Sequence, residues 1–293
     1  MKVLQQLNDI KATRALIEEW HQAGYSIGFV PTMGYLHEGH QSLITRAAAE
    51  NDKVIVSVFV NPLQFGPEED YDSYPRDLKG DQQRAAQAGA DLLFAPTVAQ
   101  MYPEGFETFV TAYGVTDKLE GATRPGHFRG VTTVVAKLFN ILQPQRAYFG
   151  QKDAQQVAVI RQMVRDLNMP VTIIPCPIIR EADGLAKSSR NTYLTAAEYQ
   201  AALSLSQSLK LAETLIQTDN IVAVEQLKKA MTACFSSIPL ARIDYIKIVD
   251  PISLEELAVI TDSCLILLAV YIGKTRLIDN LLIECRGYTK KEE

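Results

Sequence analysis

Two histidines three residues apart, His37 and His40, are the residues whose spacing most directly suggests chemistry in this chain. The apolar run at 25–30 precedes them, and residues 41–50 have the spacing of a helix that packs on one face. A strand, a glycine-containing turn and a helix start form the entry to nucleotide sites in open α/β sheets, where unpaired backbone N–H groups bind phosphate. The spacing predicts that both imidazoles face the same side of the first helical turn.

Two later stretches place cations at turns in a similar way. Residues 150–153, Gly-Gln-Lys-Asp, precede or begin a long helix predicted at 151–167, and Asp153 is placed to cap it. Lys152 opposes the helix dipole there, so a bound anion would explain it. Residues 187–190, Lys-Ser-Ser-Arg, set hydroxyls beside two cations, a combination suited to phosphate, although charge alone would favour an ordinary solvated loop.

Polar side chains also follow a strand that is predicted at 53–60 from its β-branched residues. Asn61 and Gln64 lie in the loop at its carboxyl end, where α/β proteins hold ligands. Their amides could contact a substrate or only hydrogen-bond the loop to itself, and position does not distinguish the two. The turn-rich residues 96–129 predict an ordered covering loop, in which His127 could reach an anionic ligand or be an ordinary surface residue.

The elements that must position these residues alternate between helix and strand over residues 1–178. This alternation predicts a Rossmann-like parallel sheet with helices on both faces, in an α/β domain that carries the expected nucleotide site. The strand at 26–30 is the first of this prediction, because residues 1–24 carry a helical pattern. After residue 193 two helices and three alternating strands predict a smaller α+β domain over residues 179–293, which carries the 187–190 loop.

Composition narrows the class of protein without naming a function. The 293 residues are 47% hydrophobic and 22% charged, as in globular proteins, and the net charge of −5 argues against general nucleic-acid binding. No apolar run is long enough to span a bilayer and no signal peptide is evident, so we expect a cytoplasmic protein without a membrane partner. The four cysteines lack metal-ligand spacing and are expected to be free, buried thiols.

Five motifs, in a fixed order, resemble those of the pantothenate synthetase (pantoate–β-alanine ligase) family, within the nucleotidylyl-transferase superfamily that includes the class I aminoacyl-tRNA synthetases. They are Pro31–His40, Phe59–Phe65, Tyr74–Arg76, Phe149–Gln156 and Asp183–Asn191. The resemblance implies an AMP-forming ligase that condenses pantoate with β-alanine through a pantoyl adenylate and releases AMP and pyrophosphate. It also implies a homodimer.

The resemblance further implies roles for single residues. His40 would be the catalytic proton donor, with His37 and Lys152 stabilising charge on the phosphates. Gln64 and Gln156 would bind pantoate, Gln64 also lying near β-alanine, and Asn61 is a substrate-binding candidate from its position. Mg²⁺ would bridge phosphate oxygens, with Asp81 as a candidate ligand. The implied ATP contacts are Met33, Gly34, Tyr35, Leu36, His37, Glu38, Gly39, His40, Gly150, Gln151, Lys152, Asp153, Ile179, Lys187, Ser188, Ser189 and Arg190.

Two positions depart from the family pattern, and two other functions compete. Gln151 stands where the family commonly has Glu, and Lys187 stands where an apolar residue is more usual, so Lys187 is expected to reinforce the phosphate grip. One alternative is a nucleotidylyltransferase that stops at the adenylylated product, which β-alanine-dependent AMP formation would separate. The other is a non-catalytic adenine-nucleotide-binding or RNA-binding module, which ATP turnover would exclude.

Overall fold

The computed structural model describes residues 4–67 and 69–284, which separate into two compact units that adjoin in sequence at Ile179 and Arg180. The first unit contains β1 (Gln5–Leu7), α1 (Ile10–Gln22), β2 (Ile27–Thr32), α2 (Glu38–Glu50), β3 (Lys53–Val58), α3 (Leu78–Ala88), β4 (Leu92–Phe94), α4 (Val98–Met101), α5 (Glu120–Thr123), α6 (His127–Leu142), β5 (Arg146–Gly150), α7 (Ala154–Asp166) and β6 (Thr172–Cys176). The second contains α8 (Ala196–Gln217), α9 (Val224–Ala233), β7 (Ala241–Val249), β8 (Ser263–Ile272) and β9 (Thr275–Glu284).

The sheet of the first unit has the strand order β1-β4-β3-β2-β5-β6, and every neighbouring pair is parallel. The order reverses beside β2, which has β3 on one side and β5 on the other. Ligands of open α/β sheets bind outside the carboxyl ends of the strands at such a reversal. The loops after β2 and β5 are therefore the two segments that the topology places at the expected ligand site.

Alternate side chains of the central strands point to opposite faces of this sheet. Both faces are buried, because helices pack against each of them. Phe29 and Ile55 pack into one core with residues of α1, α6 and α7. Val30 and Val56 pack into another with residues of α2 and α3. The predicted Rossmann-like sheet with helices on both faces is confirmed.

The structure corrects two boundaries in the first unit. Residues 5–7 form β1, which pairs in parallel with β4, so the strand before the histidines is the second of the chain and not the first. Three residues are too few to show a periodic pattern beside the helix that follows. Helix α2 begins at Glu38 instead of near residue 41, which places His37 at its N-cap and His40 in its first turn.

The second unit packs α8 and α9 against the antiparallel sheet β7-β8-β9, as predicted for a small α+β fold. Thr195 caps α8 through a capping box with Glu198. Gly273, at φ +57°, begins the two-residue connection between β8 and β9, a left-handed backbone that glycine adopts readily.

The prediction of free thiols is confirmed at Cys176 and Cys234. Cys176 and Cys264 are buried and Cys234 is half-buried, while Cys285 lies outside the described residues. Within residues 4–67 and 69–284, the helices are all too short or too polar to cross a membrane.

Candidate active site

The side chains of the two histidines cap the N-terminus of α2. Nδ1 of His37 accepts the Gly39 N–H at 3.1 Å, and Nδ1 of His40 accepts the His37 N–H at 3.3 Å. The ring centroids lie 4.1 Å apart, as the sequence spacing predicted. A backbone N–H can only donate, so both Nδ1 atoms are acceptors and each neutral ring carries its proton on Nε2. The arrangement therefore makes each imidazole an Nε2–H donor.

His40 is neutral over the physiological pH range. Burial is the main cause that lowers the pKa of His40 to about 3, and a protonated His40 would also be repelled by a protonated His37 and by Lys152. The influence of Lys152 shows that the segment after β5 brings a cation close to this ring. A neutral Nε2–H and a nearby ammonium both favour an anion at the helix N-terminus, where the dipole acts in the same direction.

The turn before the histidines is held by Asp81, which lies on α3. Gly34 and Tyr35 both have positive φ, +93° and +53°, a conformation that is unfavourable for tyrosine. The Asp81 carboxylate accepts the Tyr35 N–H at 3.0 Å and the Leu36 N–H at 2.7 Å. Burial raises the pKa of Asp81, and these two hydrogen bonds act in the opposite direction.

These contacts bear on the predicted metal-ligand role of Asp81. Its carboxylate is 1% exposed, and both oxygens already accept backbone hydrogen bonds, so its observed contacts position the turn. In the part of the chain that the structure describes, no group of three or more His, Cys, Asp or Glu side chains could hold a metal ion. Metal ligation by Asp81 stays a prediction.

The segment after β5 forms a 3₁₀ turn, Gln151–Asp153, that leads directly into α7. Asp153 occupies the N-cap position of α7, but its side chain makes no capping hydrogen bond, so the capping prediction was wrong. The chain is already turning before α7, which places Asp153 within a continuous helical run and not at its free end. The anion-binding role of Lys152 stays a prediction.

Asn61 is committed to hydrogen bonds within the protein. It is 1% exposed, its Nδ2 donates to Gln64 Oε1 at 3.0 Å and to the Gly130 carbonyl at 3.1 Å, and its Oδ1 accepts from the Tyr102 hydroxyl at 2.7 Å and the Leu63 N–H at 3.3 Å. These hydrogen bonds hold the loop to its surroundings, and substrate binding by Asn61 stays a prediction.

Gln64 links the loops that follow β2 and β3. It is 8% exposed and its Nε2 donates to Sδ of Met33 at 3.1 Å. Met33 directly follows β2, so Gln64 lies beside the segment that leads to His37 and His40. Sulfur is a weak acceptor, which a substrate oxygen could readily replace.

His127 neither faces solvent as an ordinary surface residue nor points to an anion. A carbonyl only accepts, so Nδ1 of His127 donates to the Gln64 carbonyl, at 2.8 Å, and Nε2 accepts from Arg124, at 3.1 Å. Arg124 is held in turn by the Glu69 carboxylate, at 2.6 and 2.7 Å. Burial, followed by the charge of Arg124, lowers the pKa of His127 to about 4. His127 thereby fixes the main chain of Gln64.

Because His127 is neutral in the folded protein, the free energy of unfolding should decrease as the pH is lowered. Between pH 6.5 and about 4 the unfolded residue binds a proton and the folded residue does not, so the free energy of unfolding decreases as the pH falls. The expected contribution is roughly 1 kcal/mol per pH unit below 6.5. Urea unfolding at pH 7, 6 and 5 should therefore show a smaller loss for His127→Gln than for the unsubstituted protein. Equal losses would contradict the assignment.

Gly130 allows α6 to approach the Asn61–Gln64 turn. A Cβ at Gly130 would lie 2.6 Å from the Gln64 backbone nitrogen and would also clash with the Leu63 carbonyl. Gly130→Ala should displace the turn, destabilise the protein by about 1–3 kcal/mol and lower kcat/KM for the substrate that Gln64 is predicted to bind. Thermal unfolding and steady-state kinetics measure the two effects. Gly66→Ala is the matched control, because the nearest atoms to its Cβ belong to Glu69 at 3.7 Å or more.

Two adjacent glutamines at the start of α7 have different environments. Gln156, the predicted pantoate ligand, is half-buried. Gln155 is buried, and it accepts the Glu120 N–H at 2.9 Å and donates to the carbonyls of Val115 and Lys118 at 2.9 and 2.7 Å. Gln155 therefore ties down part of the predicted covering loop. The sequence analysis did not predict that Gln155 anchors this loop. The signal was its place beside Gln156 on a helix, because adjacent helical residues point in different directions and cannot share one role.

The Lys-Ser-Ser-Arg loop of the second unit is braced from within that unit. Arg180 pairs with the buried Asp279 carboxylate at 2.6 Å and donates to the Gly184 carbonyl at 3.1 Å. Arg180 also forms a β-bridge with Ala186, immediately before the loop. The segment is an ordered hairpin, contrary to the alternative of an incidental solvated loop.

Within this loop, Lys187 pairs with Glu181 at 3.0 Å, and the Ser188 hydroxyl accepts the Arg190 N–H at 3.3 Å. Ser189 begins the 3₁₀ turn Ser189–Tyr193. The charge of Lys187 is therefore partly balanced by a neighbouring carboxylate. The predicted phosphate contacts of the loop, and that of Ile179 at the end of the first unit, stay predictions.

A family model and the sequences of curated relatives both match this chain to the same family. The profile of the Pantoate-beta-alanine ligase family matches residues 5–282. The chain is 56% identical to a pantothenate synthetase of Clostridium acetobutylicum over 280 residues, covering 96% of this chain and 98% of that one. It is 54% identical to one of Heliobacterium modesticaldum, with 95% and 99% covered.

Solved structures agree. The pantothenate synthetase of Thermus thermophilus superposes with a TM-score of 0.90 at 48% identity, covering 95% of this chain and 99% of that one. A Francisella tularensis pantoate–β-alanine ligase, solved with β-γ ATP and β-alanine, superposes with a TM-score of 0.78 at 39% identity, with 96% and 98% covered. The fold, the paired histidines at the reversal of strand order and these full-length matches agree: the chain belongs to the pantoate–β-alanine ligase family.

Proposed function

We propose that this chain condenses pantoate with β-alanine to form pantothenate, converting ATP to AMP and pyrophosphate at the carboxyl ends of β2, β3 and β5. The observation that carries the proposal is the group of donors at the reversal of strand order: the Nε2–H groups of His37 and His40, with Lys152 close enough to lower the pKa of His40. Such a group suits the phosphates of ATP.

In the first step the pantoate carboxylate attacks the α-phosphorus of ATP, and pyrophosphate leaves. This displacement needs no nucleophile from the protein, so catalysis rests on positioning and on stabilising charge that builds on the phosphates. His40 serves through its neutral Nε2–H, which donates a hydrogen bond to a phosphate oxygen. His37 and Lys152 stabilise the same charge.

In the second step the amine of β-alanine attacks the acyl carbon of the adenylate, the amide C–N bond forms, and AMP leaves. Gln64 and Gln156 hold pantoate through both steps. The reactive anhydride must be kept from water in between. Residues 96–129, anchored by Gln155, are the covering segment that we assign to this task.

The remaining assignments follow from the residues themselves and from the family resemblance. Mg²⁺ would enter with ATP and offset the charge of its phosphates, with Asp81 as the candidate protein ligand. The protein acts as a cytoplasmic homodimer without nucleic-acid partners. The proposed ATP-binding residues are Met33, Gly34, Tyr35, Leu36, His37, Glu38, Gly39, His40, Gly150, Gln151, Lys152, Asp153, Ile179, Lys187, Ser188, Ser189 and Arg190.

Coupled AMP production tests the proposal, measured with ATP, Mg²⁺ and pantoate in the presence and absence of β-alanine. We expect sustained AMP formation only when β-alanine is present, with pantothenate formed in equal amount. Pyrophosphate release that stops at an adenylylated product, whether or not β-alanine is added, would favour a nucleotidylyltransferase. No turnover of ATP would favour a binding module.

A further inference from the structure

Three side chains from different parts of the first unit form a directed chain of hydrogen bonds. The Tyr102 hydroxyl donates to Asn61 Oδ1 at 2.7 Å, and Asn61 Nδ2 donates to Gln64 Oε1 at 3.0 Å. We propose that Tyr102 is a positioning residue that acts through Asn61 to hold the Gln64 amide with its NH₂ group towards the substrate. The inference rests on the proposed function, in which Gln64 binds pantoate.

The direction of this chain is set by two backbone groups. The Gly130 carbonyl can only accept, so the Asn61 atom 3.1 Å from it must be the nitrogen. The Leu63 N–H can only donate, so the Asn61 atom 3.3 Å from it must be the oxygen. With Asn61 oriented in this way, its second N–H requires an acceptor, and Gln64 must present Oε1 to it. Nε2 of Gln64 then points to the other side.

Tyr102 supplies the donor that completes the chain. The Asn61 oxygen has two lone pairs, and the Leu63 N–H uses only one. The Tyr102 ring packs against Phe59 and Phe106, with centroids 6.1 and 5.0 Å away. Burial raises the pKa of Tyr102, so the hydroxyl keeps its proton and remains a donor. Tyr102 belongs to the covering segment, residues 96–129, and is 41 residues from Asn61 in sequence.

The main chain of Gln64 is fixed independently. His127 donates to the Gln64 carbonyl at 2.8 Å, and Arg124, paired with Glu69, holds His127. His127 thus fixes the main chain of Gln64, and the hydrogen bond from Asn61 to Oε1 restricts the side-chain torsions, including rotation of the amide. Preorganised donors need no reorientation when substrate binds.

A fixed polarity at Gln64 restricts what the residue can bind. Nε2 can donate but cannot accept, so the ligand atom in front of it must be an acceptor, such as a carboxylate or hydroxyl oxygen. The ammonium group of β-alanine offers only donors and is disfavoured there. The chain of hydrogen bonds therefore discriminates between the oxygen-rich acid and the ammonium group of the second substrate at this position.

Tyr102→Phe tests the proposal because it removes the hydroxyl and keeps the ring. We expect kcat/KM for pantoate to fall about tenfold, as for a buried acceptor that loses its partner, with KM for ATP unchanged. Incorporation of 4-aminophenylalanine at residue 102 restores a donor and should recover most of the loss. Tyr25→Phe, at a residue that is 41% exposed and lies before β2, outside the proposed site, is the matched control and should behave as the unsubstituted protein.

A pantoate kcat/KM for Tyr102→Phe equal to that of the unsubstituted protein would overturn the proposal. So would a loss that 4-aminophenylalanine does not recover, because that loss would come from packing. Gln64→Glu adds a second check: it replaces the Nε2 donor with an acceptor, and retention of pantoate turnover would show the opposite amide polarity. Absence of β-alanine-dependent AMP formation in the unsubstituted protein would instead be a failure of the proposed function, recognisable before any variant is made.

Discussion

His40→Ala is expected to reduce formation of the pantoyl adenylate by about 10³-fold, the upper end of the effect of deleting one preorganised donor. The variant loses the Nε2–H donor that we propose acts on the phosphates, and it removes the ring whose centroid lies 4.1 Å from that of His37. Burst measurement of pyrophosphate released from ATP and pantoate, without β-alanine, isolates this step. Near-normal release would remove His40 from the chemistry.

A second substitution separates chemistry from folding at this position. Nδ1 of His40 also accepts the His37 N–H, so His40→Ala weakens the N-terminus of α2. Glutamine at the same helical position forms a capping box with the N-cap backbone N–H. His40→Gln should therefore retain thermal stability close to that of the unsubstituted protein and, because its amide also keeps an N–H donor, should lose less adenylate formation than His40→Ala. Glutamate at this position keeps the cap acceptor but has no donor, so unimpaired activity of His40→Glu would mean that His40 acts only as a cap.

Lys152→Ala is expected to lower the rate of adenylate formation at least ~10²-fold, by analogy with the removal of one oxyanion donor. Lys152 lies in the turn after β5, next to β2, and its charge is one cause of the low pKa of His40. The same charge is available to oxygens of the α-phosphate as the pentavalent arrangement forms. Single-turnover kinetics with saturating ATP measure the chemical step apart from binding.

Two control variants show whether a loss of rate in Lys152→Ala comes from the position and geometry of this side chain or only from the loss of a positive charge. Lys11→Ala removes one positive charge from an exposed position on α1 and should leave the rate unchanged. Lys152→Arg keeps the charge in a different geometry and should retain part of the rate, since the two side chains are not interchangeable at a phosphate. Unchanged kinetics for Lys152→Ala would return this residue to the class of ordinary surface charges.

Hydrophobic periodicity was sufficient to predict most of the fold. The strand predicted at 53–60 contains β3, and the helix predicted at 151–167 contains the turn Gln151–Asp153 and α7, because each segment has a clear residue pattern. The alternation of such elements predicted the parallel sheet, and the order of five motifs identified the family. Strand β1 was not predicted, because three residues are too few to show a period.

The tertiary structure decided what each polar side chain does. Asn61 meets Tyr102 and Gly130 across 41 and 69 residues of sequence, and His127 meets the Gln64 carbonyl across 63. Local sequence shows that an amide or imidazole is present near the site. Only the folded chain brings the backbone donors and acceptors that fix amide orientation and tautomer, since hydrogen bonds are directional and their partners come from other elements.

The histidine pair shows both contributions in one motif. Its sequence spacing determined that two imidazoles share the first turn of a helix at the end of a strand. The structure determined that both are Nε2–H donors and that Lys152 stands close to one of them. Spacing is a property of the chain, whereas protonation state and charge environment depend on burial and on residues that the fold brings near.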